Sequence, residues 1–250
     1  MRRRYVCRRV ATPLDLLGEE TDAGWQDLPW SETFMDITGR HELEPRFRTR
    51  MRMGWDGQYL YVNAEMEEPH VWGTITEKNA VMFEDNDFEI FIDPDCDGLN
   101  YYEFEINALG SIWELSLPKP YGEGGEPRLG CNIDGLVSRI RIDGTLNDPA
   151  DIDRGWSVEV AIPWSGLREY HASGGCPPKT GDCWRINFSR VQWRHEVIDG
   201  RYVRIPPHGT PLAESLNPEE QEHPEDNWVW SPQGAVNMHL PKRWGALVFE

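Results

Sequence analysis

Two of the twelve tryptophans stand where an apolar core does not obviously require them. Trp72 follows Glu67-Glu68-Pro69-His70 in a segment that reads as a loop, and Trp193 ends a strand carrying Asn187, Ser189, Arg190 and Gln192. An exposed indole beside amides and charges suits a flat ligand with apolar C–H faces and hydroxyl edges, which is the chemistry of a sugar ring. The competing expectation is that tryptophans fill a wide core. Trp156 and Trp184 fit that second description, because their neighbours alternate cleanly with apolar positions.

The acidic residues offer two further chemistries. Asp93-Pro94-Asp95-Cys96-Asp97-Gly98 places carboxylates at alternate positions before a glycine, like the opening of an oxygen-ligand calcium loop. Phe104 stands where an EF-hand needs its twelfth-position glutamate, so that motif is excluded. A sandwich loop holding calcium through Asp93, Asp95 and Asp97 remains, against an acidic turn that only reverses a strand. Glu84, Asp85, Asp87 and Glu89 lead into the same strand, and Glu103 and Glu105 lie on the next. Asp87, Glu103 and Glu105 are the alternative catalytic set, as general acid and base of a glycan hydrolase or lyase. The plainer expectation is cross-strand pairing of these acids with Arg46, Arg48, Arg50 and Arg52. No H-E-x-x-H, G-x-S-x-G, P-loop or dinucleotide fingerprint accompanies them.

The elements that must position these groups read as strands. Phe47, Thr49, Met51 and Met53 alternate with the four arginines, Trp55-Asp56-Gly57 supplies a turn, and Tyr59 to Met66 returns. Tyr101 to Ala108 and Ser111 to Leu117 form a second pair around Leu109-Gly110. Further strands are expected at Asp87 to Asp93, Leu136 to Ile142, Trp156 to Ile162, Trp184 to Trp193, Arg201 to Ile205 and Ala246 to Phe249. Trp164 to Tyr170 offers one or two helical turns. The pattern predicts an all-β fold, an antiparallel, jelly-roll-like β-sandwich with little helix and long loops at Pro118 to Cys131 and Pro206 to Asp226. Residues 1–250 are expected to form one domain, with 1–45 an N-terminal strand and loop region of it.

Composition narrows the partners. With 43 Asp plus Glu against 25 Lys plus Arg, the 250 residues carry a formal charge of -18, which argues against nucleic acid or an anionic membrane. No apolar run approaches the length of a membrane span, and the chain is expected to be soluble. Cys7, Cys96, Cys131, Cys176 and Cys183 are odd in number and widely spaced, so reduced thiols are expected. No signal-peptide pattern follows the basic start, and a cytoplasmic location is the expectation, secretion being the alternative.

Four segments carry a family resemblance: Asp85-Asn86-Asp87-Phe88-Glu89-Ile90-Phe91-Ile92-Asp93-Pro94, Tyr101-Tyr102-Glu103-Phe104-Glu105-Ile106-Asn107-Ala108, Trp184-Arg185-Ile186-Asn187-Phe188-Ser189-Arg190-Val191 and Asn227-Trp228-Val229-Trp230-Ser231-Pro232. Together, from about Arg46 to the C-terminus, they resemble the family-9-like carbohydrate-binding domains, and in particular a stand-alone branch. The resemblance implies a β-sandwich that binds mono-, oligo- or polysaccharide without turnover, clamps a terminal sugar between two tryptophans and contains structural calcium. It points to Trp72 and Trp193 as the indoles, with Trp228 and Trp230 competing for the second place. Asn107, Arg190 and Gln192 are then the hydrogen-bonding partners, and a glycan-degrading enzyme is an expected associate. A haem-binding sandwich using Met66, His70 and Met238 is a more distant alternative.

Overall fold

Period-two alternation sorts the strand residues onto two faces, and the computed structural model follows it closely. The structure describes residues 2–16, 23–208, 216–218 and 222–250. Among these residues one sheet of thirteen strands curls into two layers. One layer contains β5 (Asp87–Asp93), β6 (Tyr101–Asn107), β7 (Ile112–Leu117), β8 (Arg128–Leu129), β11 (Cys183–Gln192) and β15 (Gly245–Phe249), with β14 (Asp226–Val229) and β2 (Met35–Asp36) attached beside β11. The other contains β3 (Thr49–Trp55), β4 (Tyr59–Glu67), β9 (Val137–Asp143) and β10 (Gly155–Pro163). A separate hairpin, β12 (Arg194–Ile198) with β13 (Arg201–Ile205), completes the set.

The core lies between the layers. Phe88, Ile90 and Ile92 of β5, Phe104 and Ile106 of β6, and Phe188 of β11 meet Met51 and Met53 of β3, Val62 and Ala64 of β4, and Val158 and Val160 of β10. Such burial, at roughly 1.5–3 kcal/mol per large apolar side chain, holds the two layers together. Trp156, Trp164, Trp184, Trp228 and Trp230 join this core.

One strand departs from the antiparallel expectation. β1 (Arg4–Arg9) runs parallel to both of its neighbours: Arg4 to Cys7 pair with Ala246 to Phe249 of β15, and Arg8 and Arg9 pair with Gly54 and Trp55 of β3. β1 is thereby the seam that joins the layers. The expected 164–170 helix is a short α1 (Trp164–Leu167) continued by a 3-10 turn. Of the expected 206–226 loop, residues 209–215 and 219–221 lie outside the described residues. No helix among the described residues is long and apolar enough to cross a membrane.

Both faces of β5 and β6 are buried, which positions the site. The inner faces meet the core, while the outer faces carry Asp87, Glu89, Phe91 and Asp93 beside Tyr101, Glu103, Glu105 and Asn107. A second apolar cluster covers this outer face: Met82, Tyr121 and Met238 come from loops and pack on Phe91, Trp113 and Leu115. The β6–β7 turn that sets the register closes with Gly110 N–H donating to Asn107 O at 3.0 Å, and Gly110 takes φ +83°, a conformation that glycine adopts without a Cβ penalty.

Candidate functional site

The outer face of β5, β6 and β7 ends in a small pocket, open to solvent, with a cavity volume of about 70 Å³. Phe83 and Tyr121 form walls, Trp113 lies behind Phe83 with ring centroids 6.1 Å apart, and Glu89, Glu103 and Glu105 supply carboxylates. Asn227, Asn237 and His239 add polar groups at its border. Register explains the grouping: Glu89 stands opposite Glu105 on β6, and Glu105 stands opposite Trp113 on β7. Aromatic faces next to carboxylates and amides can take both the apolar faces and the hydroxyl edges of a sugar. A wider depression beside Phe47, Glu65 and Arg154 mixes charged side chains with the apolar surface of Phe47, Met66, Ile142 and Trp156.

Electrostatics in the pocket depart from the sequence expectation. The arginine stripe does not meet Asp87, Glu89, Glu103 and Glu105. It lies along the opposite layer, where Arg48 pairs with Glu67 and Arg50 with Glu65, while Arg46 reaches across to Asp226 of β14, all at 2.7–3.1 Å. The stripe and the acids belong to different layers, so cross-strand register offers Glu65 and Glu67 to the arginines first. Burial, and then neighbouring carboxylates, pushes Asp87, Glu103 and Glu105 well above the usual carboxylate range. Glu89 is pushed up to about 8, chiefly by burial. His239 lies 3.9 Å from Glu103, and burial lowers its pKa to about 3, so a neutral ring faces the acids near neutrality.

The tryptophans expected to be open are covered. Trp72 is 1% exposed and Trp193 2%. The β12–β13 hairpin lies over both: Tyr202 stacks on Trp72 with centroids 6.3 Å apart, and the Arg204 guanidinium sits 4.2 Å from the Trp193 ring centre. Trp193 Nε1–H also donates to Phe83 O at 2.8 Å, so this indole braces a pocket wall from behind. The alternates are inward as well, since Trp228 and Trp230 belong to the core.

The expected polar partners are engaged with the protein itself. Arg190 points into the sandwich interior, donating to Glu68, Thr49 and Gln192 at 2.6–3.0 Å, and Gln192 Oε1 accepts from Arg190. Even-numbered residues of β11 face inward, and the strand continues that parity through Arg190 and Gln192. Asn107 is buried, donating to Ile75 O and Asp85 and accepting from Leu109 N–H and Ser111 N–H. The alternative catalytic trio of Asp87, Glu103 and Glu105 does come together on one face. The residues of the haem alternative do not group as a pair of axial ligands: Met66 lies in the inter-layer core, Met238 in the cluster on the outer face, and His70 bonds Tyr202 at 3.0 Å.

In the acidic turn, carboxylate oxygens of Asp93, Asp95 and Asp97 lie within 4.8 Å of one another. Backbone N–H groups of Gly98, Ala172 and Leu99 each bond one of these carboxylates. Asp93 Oδ1 and Asp95 Oδ1 are buried without a hydrogen-bond partner, and burial first, then Asp95, raises Asp93 to about 7. The donor set of hard oxygens fits calcium.

Sequence reading passed over Phe83, Trp113, Tyr121 and His239 as site residues. Trp113 and Glu105 do alternate on predicted neighbouring strands, which was a usable signal, whereas Tyr121 and His239 reach the pocket from loops without periodicity.

Comparison with known proteins accords with this fold. A solved structure of a putative carbohydrate-binding protein from Bacteroides uniformis superposes with TM-score 0.67 at 16% identity, each chain covered completely. Two structures of a family 9 carbohydrate-binding module from Caldicellulosiruptor kristjanssonii, one in complex with cellotriose and one with glucose, give TM-score 0.56 at 15% identity, covering 99% of this chain and 94% and 96% of theirs. Endo-1,4-beta-xylanase A of Thermotoga maritima is 27% identical over 165 residues, 64% of this chain, and the chain spans only 13% of that protein's length. The matched family description, "Carbohydrate family 9 binding domain-like", covers residues 17–176, starting before the four motif segments and ending ahead of the last two. On that match the chain belongs to the carbohydrate family 9 binding domain-like family.

Proposed function

We propose that the protein binds carbohydrate without cleaving it, and that the sugar enters the pocket on the outer face of β5, β6 and β7. The observation that carries this reading is the pairing of aromatic walls at Phe83 and Tyr121 with the Glu89, Glu103 and Glu105 carboxylates, in a chain of a carbohydrate-binding family. Aromatic faces supply affinity, and the polar groups select a hydroxyl pattern.

Calorimetry against glucose and cello-oligosaccharides, followed by a wider glycan array, tests the reading. Phe83 is only half-buried, so Phe83→Ala leaves the fold intact and is expected to weaken binding tenfold or more, about 1–3 kcal/mol. Oligosaccharides incubated with the protein remain intact. Undiminished affinity in Phe83→Ala moves the sugar elsewhere, and the appearance of shortened products replaces binding with hydrolysis.

We also propose calcium at Asp93, Asp95 and Asp97, supported by the two buried, partnerless oxygens there. Calcium is expected to raise the melting temperature, as any ligand of the native state does; at a hundredfold excess over Kd the gain is about 2.7 kcal/mol. Asp95→Asn removes the part of that gain due to this loop. An Asp95→Asn protein that responds to calcium as fully as the parent overturns the assignment.

A further inference from the structure

The β12–β13 hairpin is a two-stranded sheet of its own, with no ladder to the thirteen-stranded sheet. Two strands alone are marginally stable, so what the hairpin rests on decides whether it stays in place. Arg194, Glu196, Ile198, Arg201 and Ile205 are exposed, and the hairpin holds to the body through its other face. There His195 meets His70 edge-on with ring centroids 5.0 Å apart, and both rings border Tyr202. Tyr202 OH donates to Asp148 O at 3.2 Å and lies 3.0 Å from His70 Nδ1, while the His195 ring is 6.1 Å from that of Trp72.

Charge around the two imidazoles decides how this contact responds to acid. Burial first, then the charges of His70 and Arg46, lowers the His195 pKa. Arg204, directly across the strand pair from His195, is a further cation and lies 3.8 Å from Glu84. Glu68 is committed, one oxygen accepting from His70 N–H and the other from Arg190. Asp148, Asp151 and Asp153 lie toward Tyr202, where burial, and then these acids, hold the phenol up at about 12 and so neutral. The closed hairpin therefore favours a neutral His195. An imidazole released into water takes up its proton near about pH 6.5. The closed state keeps its full advantage above that pH and loses it as pH falls toward the lowered value that His195 has when covered.

We propose that the β12–β13 hairpin is a pH-sensitive flap, which protonation of His195 beside His70 lifts from Trp72 and Trp193. The flap is independent of any sugar in the pocket on the outer face of β5, β6 and β7.

Amide hydrogen exchange of the full chain, read by mass spectrometry without sugar, is compared at about pH 8 and about pH 5, the span over which an imidazole changes charge. Rates are corrected for the intrinsic effect of pH on exchange. Residues 194–205 are expected to exchange at least tenfold faster at the lower pH, with β5 and β6 still protected. His195→Phe keeps a ring without the charge, and its hairpin is expected to stay protected at the lower pH. His195→Lys carries the charge throughout, and its hairpin is expected to exchange at least tenfold faster than the parent's already at about pH 8. Protection of 194–205 that survives at about pH 5 in the parent, a loss in His195→Phe equal to the parent's, or a His195→Lys hairpin as protected as the parent's overturns the proposal. So does simultaneous loss of protection in β5 and β6, which would make the event unfolding of the whole sandwich.

Discussion

Arg190→Met is expected to lower folding stability by about 3–5 kcal/mol, the cost of leaving a buried carboxylate without its partner. Arg190 and Glu68 are 1% and 2% exposed and lie 3.0 Å apart. Burial lowers the Arg190 pKa only to about 10, so the guanidinium stays charged at neutral pH. Its other donors are committed to Thr49 Oγ1 and Gln192 Oε1, and its flat face lies 5.1 Å from the Trp228 ring centre. Methionine keeps much of the volume but none of these bonds. Urea denaturation followed by tryptophan fluorescence measures the loss. Combining Arg190→Met with Glu68→Leu removes both charges and is expected to recover much of it, because an apolar replacement of a whole buried pair is often close to neutral. A loss in the single variant under about 1 kcal/mol would place water around the pair. Loss of sugar affinity at unchanged stability would return Arg190 to the binding surface.

The second large effect concerns the indoles. Trp72→Ala is expected to destabilise by about 3–5 kcal/mol, the range for truncating a large buried aromatic residue. Trp72 packs with Val191, Trp193 and Tyr202 in a small cluster of its own beneath the β12–β13 hairpin. Alanine leaves a void under Tyr202, and the hairpin can collapse into it only in part. Trp193→Ala is expected to fall in the same range, with the added loss of the hydrogen bond to Phe83 O and of the Arg204 contact. Affinity for sugar, measured well below each melting point, is expected to hold in Trp72→Ala. A tenfold weaker affinity at unchanged stability in that variant would instead mean that the hairpin moves aside and the indole stacks on ligand.

How far the sequence foretold this depends on where each residue's neighbours come from. β5 and β6 were legible to within a residue because Phe88, Ile90 and Ile92 alternate with acids, and because Gly110 closes the following turn. The β1 seam was not legible: Arg4–Arg9 lacks apolar alternation on one side, and its pairing with β15 spans almost the whole chain. The acids were expected to pair with the arginine stripe because an isolated strand shows only its own two faces. Their cover arrives from loops such as that carrying Met238, more than 130 residues away, which local periodicity does not record. The same reason hides the roofing of Trp72 by Tyr202. Parity along β11 did predict that Arg190 shares a face with Phe188, and therefore an inward direction. The chemical suitability of a guanidinium for sugar hydroxyls outweighed that signal.

The parallel seam has a consequence for how the molecule is made. Arg4 to Cys7 find their hydrogen-bonding neighbours only when Ala246 to Phe249, far later in the sequence, have been made. Until then the edges of β3 and β11 that β1 and β15 will bridge stay open to other strands. Closure is thus a long-range event, and slow synthesis of the residues between β1 and β15 should prolong the interval in which nascent chains can stick to one another.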